Sequence, residues 1–475
     1  MPYPVSRLRP KKPELWLSIP AITFAPPEMV TDGSFSGNGP TGNSTTPTGS
    51  FNTGQYAIVS GQGRLTNGAA ASSTIWFDIP TVAGRTYDIG VTLVAGTSGA
   101  SCNTAFDHAS GVNFYSSSGA GAKSNTVVAT GAYIRVYFGT GTATSGHTMF
   151  FDNLTVRLNQ ATECDLIFSQ AKALGCTGIR TDFQGEWNFY GNSSARYWTE
   201  PDLMATRAQT NGMDLCFCEI SSPAWAAASG FTYPTTQLSA WATCLQDAAA
   251  RYQGVVKYWE IRNEQNLSGF SATTAGGGSI ASCASAYMTY ATAVAAGIRA
   301  GDPRAMIVST GLSPSPDTVL GNHLKAADYL SEMYNAGAKG VFDMIGFHPY
   351  SCPLQPDDPA TYNGWQIMET DIRAVMAANG DGNKPILCTE YGFPTGGTSN
   401  GSQTTEALTG QAIIRAMHLA KGMNIRAIAY YTSIDKQASQ FSSTNNEDYF
   451  GIYSATLANK VDPVAAAQYA TRMIR

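Results

Sequence analysis

Charged side chains are scarce in this chain. They make up 13% of its 475 residues, against roughly 25% in an ordinary soluble domain. The 29 basic and 34 acidic groups leave a net charge of -5, and no long basic run exists to neutralise a phosphate backbone, which argues against nucleic acid as a partner. No apolar stretch approaches the ~20 residues of a membrane-spanning helix; Trp16 to Phe24 is short and carries a proline. Nine cysteines, an odd number at irregular spacings, spell no disulfide framework. Cys216 and Cys218 share one face of a strand, but no second pair at zinc-finger spacing follows, so buried free thiols are expected. His108, His147, His323 and His418 are scattered without metal-ligand spacing, and no metal or cofactor is expected. Ala275-Gly-Gly-Gly278 lacks the lysine of a phosphate cradle. No repeat of 20 to 50 residues suggests a solenoid or propeller. The N-terminus carries Arg7, Arg9, Lys11 and Lys12 but no apolar segment followed by a cleavage site, so no secretory signal is read.

What is present changes texture along the chain. From Glu28 to Gln160 only eleven residues are charged, and Gly, Ser, Thr and Asn crowd between short runs such as Ser73–Phe77, Thr86–Val94 and Tyr133–Phe138. Alternation in Tyr87-Ile89-Val91-Leu93 and in Tyr133-Arg135-Tyr137 predicts an antiparallel sandwich. This stretch, from Val30-Thr-Asp-Gly-Ser-Phe35 to Met149-Phe-Phe-Asp-Asn-Leu-Thr-Val156, resembles the jelly-roll carbohydrate-binding modules that accompany polysaccharide-degrading enzymes. Trp76 and Tyr115 lie in its strand-like runs, where core and carbohydrate platform are equally good readings.

After Gln160 helical segments alternate with β-branched and aromatic runs, the pattern of a parallel sheet with crossover helices. Strands are predicted at Thr177–Asp182, Met213–Glu219, Val255–Ile261, Ala305–Ser309, Phe342–Phe347, Pro385–Thr389 and Ile425–Tyr431, with helices such as Cys164–Leu174, Ala284–Ala300 and Gly410–Gly422. Seven strands in this length suggest a (β/α)8 barrel with its first strand unassigned. Leu15–Phe24 or the stretch around Leu154–Leu158 could supply it. The division is therefore an N-terminal segment 1–27, a β-sandwich 28–160 and a TIM barrel 161–475.

In such barrels the reactive groups lie at the C-terminal ends of the strands. The fourth strand runs into Tyr258-Trp-Glu-Ile-Arg-Asn-Glu-Gln-Asn266 and the seventh into Pro385-Ile-Leu-Cys-Thr-Glu-Tyr-Gly392, each delivering a glutamate to the mouth. Two carboxylates facing each other at about 5 Å suit double displacement at a sugar carbon. Glu260, in phase with Arg262 and Glu264, points into the barrel and is read as a partner of a basic core residue. Glu219 ends another strand, before Ser221-Ser-Pro-Ala-Trp225, where a substrate subsite and a structural role are equally open. Trp187, Trp225 and Trp365 follow barrel strands and could stack on pyranose rings.

Asn263-Glu264 after a strand containing Trp-Glu-Ile, then Gly346-Phe-His-Pro-Tyr350, then Thr389-Glu390-Tyr-Gly, resembles clan A of the retaining glycoside hydrolases, most of all family 39 and its relatives. The resemblance spans roughly Thr177 to Met473 and implies a (β/α)8 glycosidase with no cofactor, acting on a polysaccharide or oligosaccharide. It implies Glu264 as acid/base and Glu390 as nucleophile. It further implies that Asn263 bonds the sugar 2-hydroxyl, that Arg180 and Tyr350 orient Glu390 and hold it ionised, and that His348 borders the sugar subsite. Two departures bear on the sugar's identity: Gln265 stands where many members have proline, and the strand-eight tryptophan is missing, leaving Tyr430 and Tyr431 as the aromatics. Asp448-Tyr-Phe-Gly451 is similar to the closing segment of such barrels. Action outside a cell or at its surface is expected; the missing signal and the Gly/Ser/Thr-rich sandwich are also compatible with a virion component that digests a bacterial capsule. A non-catalytic polysaccharide-binding or adhesive protein on a barrel scaffold is the alternative, which the intact glutamate pair disfavours.

Overall fold

The computed structural model describes residues 12–19, 48–50, 56–67, 73–96, 103–140, 145–184, 196, 198–223, 225–359, 363–436 and 444–474. The chain divides into two compact units. One is drawn from the segment up to Ala21 and from Cys164 onward, apart from a short stretch beginning at Lys436; the other comprises Ile22–Glu163 with that stretch.

Strand β1 (Glu14–Ile19) belongs to the first unit, and the next ten strands to the second. These are β2 (Thr48–Ser50), β3 (Tyr56–Val59), β4 (Gln62–Thr66), β5 (Thr74–Pro80), β6 (Thr86–Ala95), β7 (Asn103–His108), β8 (Asn113–Ser118), β9 (Gly121–Val128), β10 (Tyr133–Gly139) and β11 (Thr148–Leu158). They form two five-stranded sheets, β2-β5-β10-β7-β8 and β3-β4-β11-β6-β9, whose strand pairs are antiparallel. Period-2 burial makes the sandwich, because Ile75, Phe77 and Ile79 of β5, Tyr87 to Leu93 of β6 and Ile134, Val136 and Phe138 of β10 turn alternate side chains into one core. Phe138 of one sheet stacks on Phe151 of the other at 4.0 Å between ring centroids. Trp76 lies on the opposite face of β5, against Tyr137 at 5.5 Å and under the Arg135 guanidinium, whereas Tyr115 stacks on the core residue Phe106.

The first unit continues with β12 (Gly178–Gln184), β13 (Asp214–Ser221), β14 (Val256–Ile261), β15 (Met306–Val308), β16 (Ile345–Phe347), β17 (Ile386–Tyr391) and β18 (Ile425–Tyr431). They run parallel in the order β15-β14-β13-β12-β1-β18-β17-β16, and bridges Val308↔Met344 and Leu312↔Phe347 join the two ends into a ring. The unassigned first strand is thus β1, between β12 and β18, with Trp16 in register with Gly178 and Ala429. The sandwich is inserted in the chain after it, and Leu154–Leu158 is the end of β11. Residues 20–24 of the expected strand lie outside the described residues.

Trp16, Cys216, Tyr258, Val308, Met344, Leu387, Ala427 and Ala429 fill the barrel as a packed core. The indole of Trp16 needs Gly178 beside it, since a methyl there would lie 2.6 Å from the ring. In the surrounding layer, Ser279 caps helix Ile280–Gly301, whose Tyr287, Ala291, Val294 and Ile298 are buried at helical spacing. All eight cysteines of the described residues are unpaired. No helix among those residues is long and apolar enough to cross a membrane.

Candidate active site

Inside the barrel the even-numbered side chains of β14 and β12 point inward, which brings Arg180 and Glu260 together below the mouth. Arg180 is 2% exposed and spends its whole guanidinium on neighbours. Nε donates to Glu260 Oε2 at 2.8 Å, one terminal nitrogen to Glu390 Oε1 at 2.8 Å and to Ser18 Oγ of β1 at 3.3 Å, and the other to Asn263 Oδ1 at 2.8 Å. Asp182 adds an ion pair at 3.5 Å. These opposite charges hold the arginine above its already high pKa despite the opposing effect of burial.

Glu390, at the end of β17, is fixed at both oxygens: Arg180 takes Oε1, and the Tyr350 hydroxyl donates to Oε2 at 3.0 Å. Glu264 follows β14 on a turn where Arg262 (φ 65°) and Glu264 (φ 42°) are both left-handed, a conformation that costs non-glycine residues energy and is held by surrounding contacts. Gln265 supplies many of them. Its Nε2 donates to the carbonyls of Asn263 and Phe270, its backbone N to Thr310 Oγ1, and its Oε1 accepts from Tyr233. The residue standing in the place of proline therefore ties the turn by hydrogen bonds. Burial pushes the Glu264 carboxyl above its ordinary pKa, the Glu390 charge adds to the rise, and His348 works against it.

Both carboxylates meet at one imidazole. His348 Nδ1 lies 2.8 Å from Glu264 Oε1 and 3.8 Å from Glu390 Oε2. That triangle caps the separation of those two oxygens below about 7 Å. On its other side His348 Nε2 lies 3.0 Å from Thr389 Oγ1, whose hydroxyl donates to Glu260 Oε1 at 2.7 Å. Gly311 makes room for this chain, because a methyl there would collide with His348 Nε2, Thr389 Oγ1 and Glu260 Oε1. Among the described residues no three His, Cys, Asp or Glu side chains are grouped to hold a metal ion.

The sequence-predicted residues fall into two groups. Glu264, Glu390, Arg180, Asn263, His348 and Tyr350 form one network, and Glu260 is the expected partner of a basic core residue, Arg180. His348 is fully buried, so it faces the carboxylates instead of bordering a sugar subsite. Glu219 is displaced from the site: Cys216 and Cys218 occupy the inward phase of β13, and Glu219 turns outward to Arg262 at 3.5 Å, both side chains fully buried. Trp225 packs edge-on against Trp241 of helix Leu238–Arg251, in that same outer layer. Tyr430 also turns outward and is 1% exposed, its hydroxyl against the backbone of Phe393. Tyr431 takes the inward phase after Ala427 and Ala429, where the charges of Glu447, Glu390, Asp182 and Arg180 act on its hydroxyl. Trp365 is buried against Tyr391, and Trp187 lies outside the described residues. The closing segment does reach the mouth, since Phe450 packs on both Tyr350 and Tyr431. Ser18, Gly311 and Thr389 went unread as site residues. Period-2 counting from Trp16 would have found Ser18, while Gly311 and Thr389 carry no signal outside the assembled ring.

No family model and no curated protein sequence matches the chain. Solved structures do. A family 39 glycoside hydrolase from Bacteroides cellulosilyticus WH2 superposes with a TM-score of 0.50 at 14% identity, covering 81% of this chain and 80% of that one. The GH5_18 protein from Streptomyces cattleya, solved in complex with GlcNAc, does so with a TM-score of 0.50 at 13% identity, covering 66% of this chain and 75% of that one. At such identities the likeness is one of fold: the chain has the parallel eight-stranded barrel of these glycoside hydrolases.

Proposed function

We propose that this protein is a glycosidase that cleaves a polysaccharide or oligosaccharide with retention of anomeric configuration. The observation that carries the reading is the convergence of two strand-end carboxylates on one imidazole nitrogen, one of them met by Arg180 and Tyr350 and the other, among the described residues, by His348 alone. Glu390 receives Arg180 and Tyr350, donors that stabilise an anion, and suits the nucleophile. Glu264, buried and raised in pKa, suits the group that must hold a proton until the leaving oxygen needs it.

In the first step the acid proton passes from Glu264 to the glycosidic oxygen as the bond from that oxygen to the anomeric carbon breaks and Glu390 closes an ester with that carbon. In the second, water gives a proton to Glu264 while its oxygen displaces Glu390. The cap on the separation of those oxygens admits the ~5–5.5 Å of retaining pairs and leaves out all but the low end of the ~6.5–9.5 Å at which inverting pairs admit a water. Asn263 has its amide orientation set by Arg180, because Oδ1 is the accepting atom; Nδ2 is left to donate to a sugar hydroxyl. Tyr431 is the aromatic assigned to the sugar-facing wall. Polymer affinity is assigned to the sandwich, which contributes none of the strand-end carboxylates.

Proton NMR during the first minutes of hydrolysis, on a panel of aryl glycosides and exopolysaccharides, tests the reading. A product that keeps the substrate's configuration before mutarotation supports it, and an inverted product overturns both glutamate roles. A fluoro-sugar inactivator should label Glu390; a label elsewhere with Glu390 unmodified removes the nucleophile assignment.

A further inference from the structure

The chain of contacts behind Glu264 determines where a proton can sit. Glu260 is charge-paired with Arg180 through Oε2, and its Oε1 is an acceptor for the Thr389 hydroxyl. A threonine hydroxyl has one hydrogen, and Glu260 takes it, so Thr389 Oγ1 meets His348 Nε2 only as an acceptor. Nε2 therefore carries a proton. In its neutral form the ring then turns a bare Nδ1 lone pair toward Glu264 Oε1 at 2.8 Å. Two acceptors at that distance repel unless a proton lies between them.

We propose that Thr389 is a positioning residue that locks His348 with its proton on Nε2, so that the titrating nitrogen faces Glu264 and the two side chains hold the catalytic acid proton jointly. The proposal rests on the glycosidase reading above and adds to it the device that keeps Glu264 protonated. An ionised Glu264 beside a neutral, locked His348 is disfavoured, which delays loss of the acid proton to higher pH in the first step. The same lone pair makes the Glu264 carboxylate a stronger base toward water in the second. Burial and the Glu390 charge raise Glu264, and the neighbouring carboxylates raise His348; a protonated ring pulls the Glu264 carboxyl back down, so the lock acts on Glu264 while the ring is neutral. The other charges acting on the ring are those of Glu390 and Glu260, with Arg180 acting on Glu264, and Thr389 and Tyr350 are the neutral polar groups beside it.

Thr389→Val tests the lock. Without the Oγ acceptor the neutral ring is free to move its proton to Nδ1 and donate it to the Glu264 carboxylate, which favours ionisation. The basic limb of the kcat/KM profile should fall by roughly one pH unit or more, a tenfold change in the acid fraction at fixed pH; Thr389→Ser, which keeps an acceptor, should bring the limb back. A loss of rate in Thr389→Val that is uniform in pH, with the limb unmoved, overturns the proposal. Nitrogen-15 NMR of the imidazoles gives a readout that needs neither turnover nor a folded variant at position 389. The signal of His348, one of five histidines, is identified by its absence in His348→Gln, and in the unsubstituted protein above the pKa of the ring it should show the proton on Nε2. A proton on Nδ1 overturns the lock whatever the kinetics. If no glycoside on the panel is cleaved, the glycosidase reading fails while the tautomer still decides the fate of the lock.

Discussion

Glu219→Gln separates a structural carboxyl from a substrate ligand and has a size that follows from burial. The facing cation, Arg262, stands 3.5 Å from Glu219, and the Tyr290 hydroxyl and Trp241 indole beside it also favour the charged form. Burial pushes the carboxyl from its ordinary 4.5 up to about 7, against the opposing pull of Arg262. A folded-state pKa raised above the unfolded one contributes stability that is fully present below about pH 4.5 and is lost as pH rises through 7. At 1.36 kcal/mol per pH unit, the wild-type protein should lose about 3 kcal/mol relative to Glu219→Gln between pH 4 and pH 8. Taking the difference between the two proteins cancels the titration of every other carboxylate. The absolute effect of the change is a separate matter, because Arg262 keeps the carbonyls of Ile220 and Gly230, Ser222 Oγ and the faces of Tyr233 and Tyr290. Urea unfolding of both proteins at pH 4, 5.5 and 8, followed by far-UV circular dichroism, measures it. A difference that stays flat, or grows in favour of the wild type as pH rises, refutes the argument, since either result means that Arg262 holds Glu219 ionised. KM for a small glycoside should stay within about twofold in the variant; a tenfold rise would put Glu219 back among the groups that touch substrate.

Three other outcomes test the assembled site. Glu264→Ala should spare aryl glycosides with good leaving groups while natural glycosides lose most of their rate, and azide should rescue the variant as a glycosyl azide; equal losses on both substrate types, with no azide product, remove Glu264 from the acid role. Gly311→Ala should cost about 1–3 kcal/mol by overpacking and displace His348, Thr389 and Glu260 together, so a thermal melt and a kcat both at wild-type level would contradict the packing. A chain beginning at Ala161 lacks β1 and with it the partner of both β12 and β18. It should show no native circular dichroism and no activity on small glycosides, whereas joining residues 12–21 to the barrel should restore both. Full activity in the simple truncation would show that the ring closes without that strand.

Much of the fold was legible because local and global signals agree. β18 runs over the very residues predicted, Ile425–Tyr431, since its flanks are a helix C-terminus and a polar loop. β16 came out shorter than Phe342–Phe347: Asp343 and Met344 both donate their backbone N to the carbonyl of Ile307, and the Asp343 side chain accepts from Ile307 N and from Arg299, so the regular ladder begins only at Ile345. The first strand could not be assigned from local signals, because Leu15–Phe24 and the stretch around Leu154–Leu158 both read as strands that could precede the first barrel helix. Its place follows from partners more than a hundred residues away, Gly178 and Ala429. The order of the two glutamates along the chain carried the candidate site, as a barrel's strand ends are the one place where residues so far apart in sequence converge.

What failed was phase. A strand alternates with period 2, so an error of one residue transfers a side chain from the lumen to the helix layer. On β14 the phase was read from Glu260, Arg262 and Glu264 together, and Glu260 does face Arg180, although Arg262, beyond the strand's end at a left-handed φ, leaves the alternation and turns outward. On β13 Glu219 is the polar residue at the strand end, yet the small cysteines beside it set the phase: a barrel lumen already holding Trp16, Tyr258 and Arg180 accepts Cys216 and Cys218 and leaves Glu219 outside. β18 repeats the lesson with Ala427 and Ala429 inside, which puts Tyr431 at the mouth and sends Tyr430 to Phe393. In both strands the lumen took the smaller side chains because the large ones from β1, β12 and β14 had filled it. The phase of a barrel strand is therefore a property of the whole ring's volume, and a sequence reading recovers it only by assigning all eight strands at once.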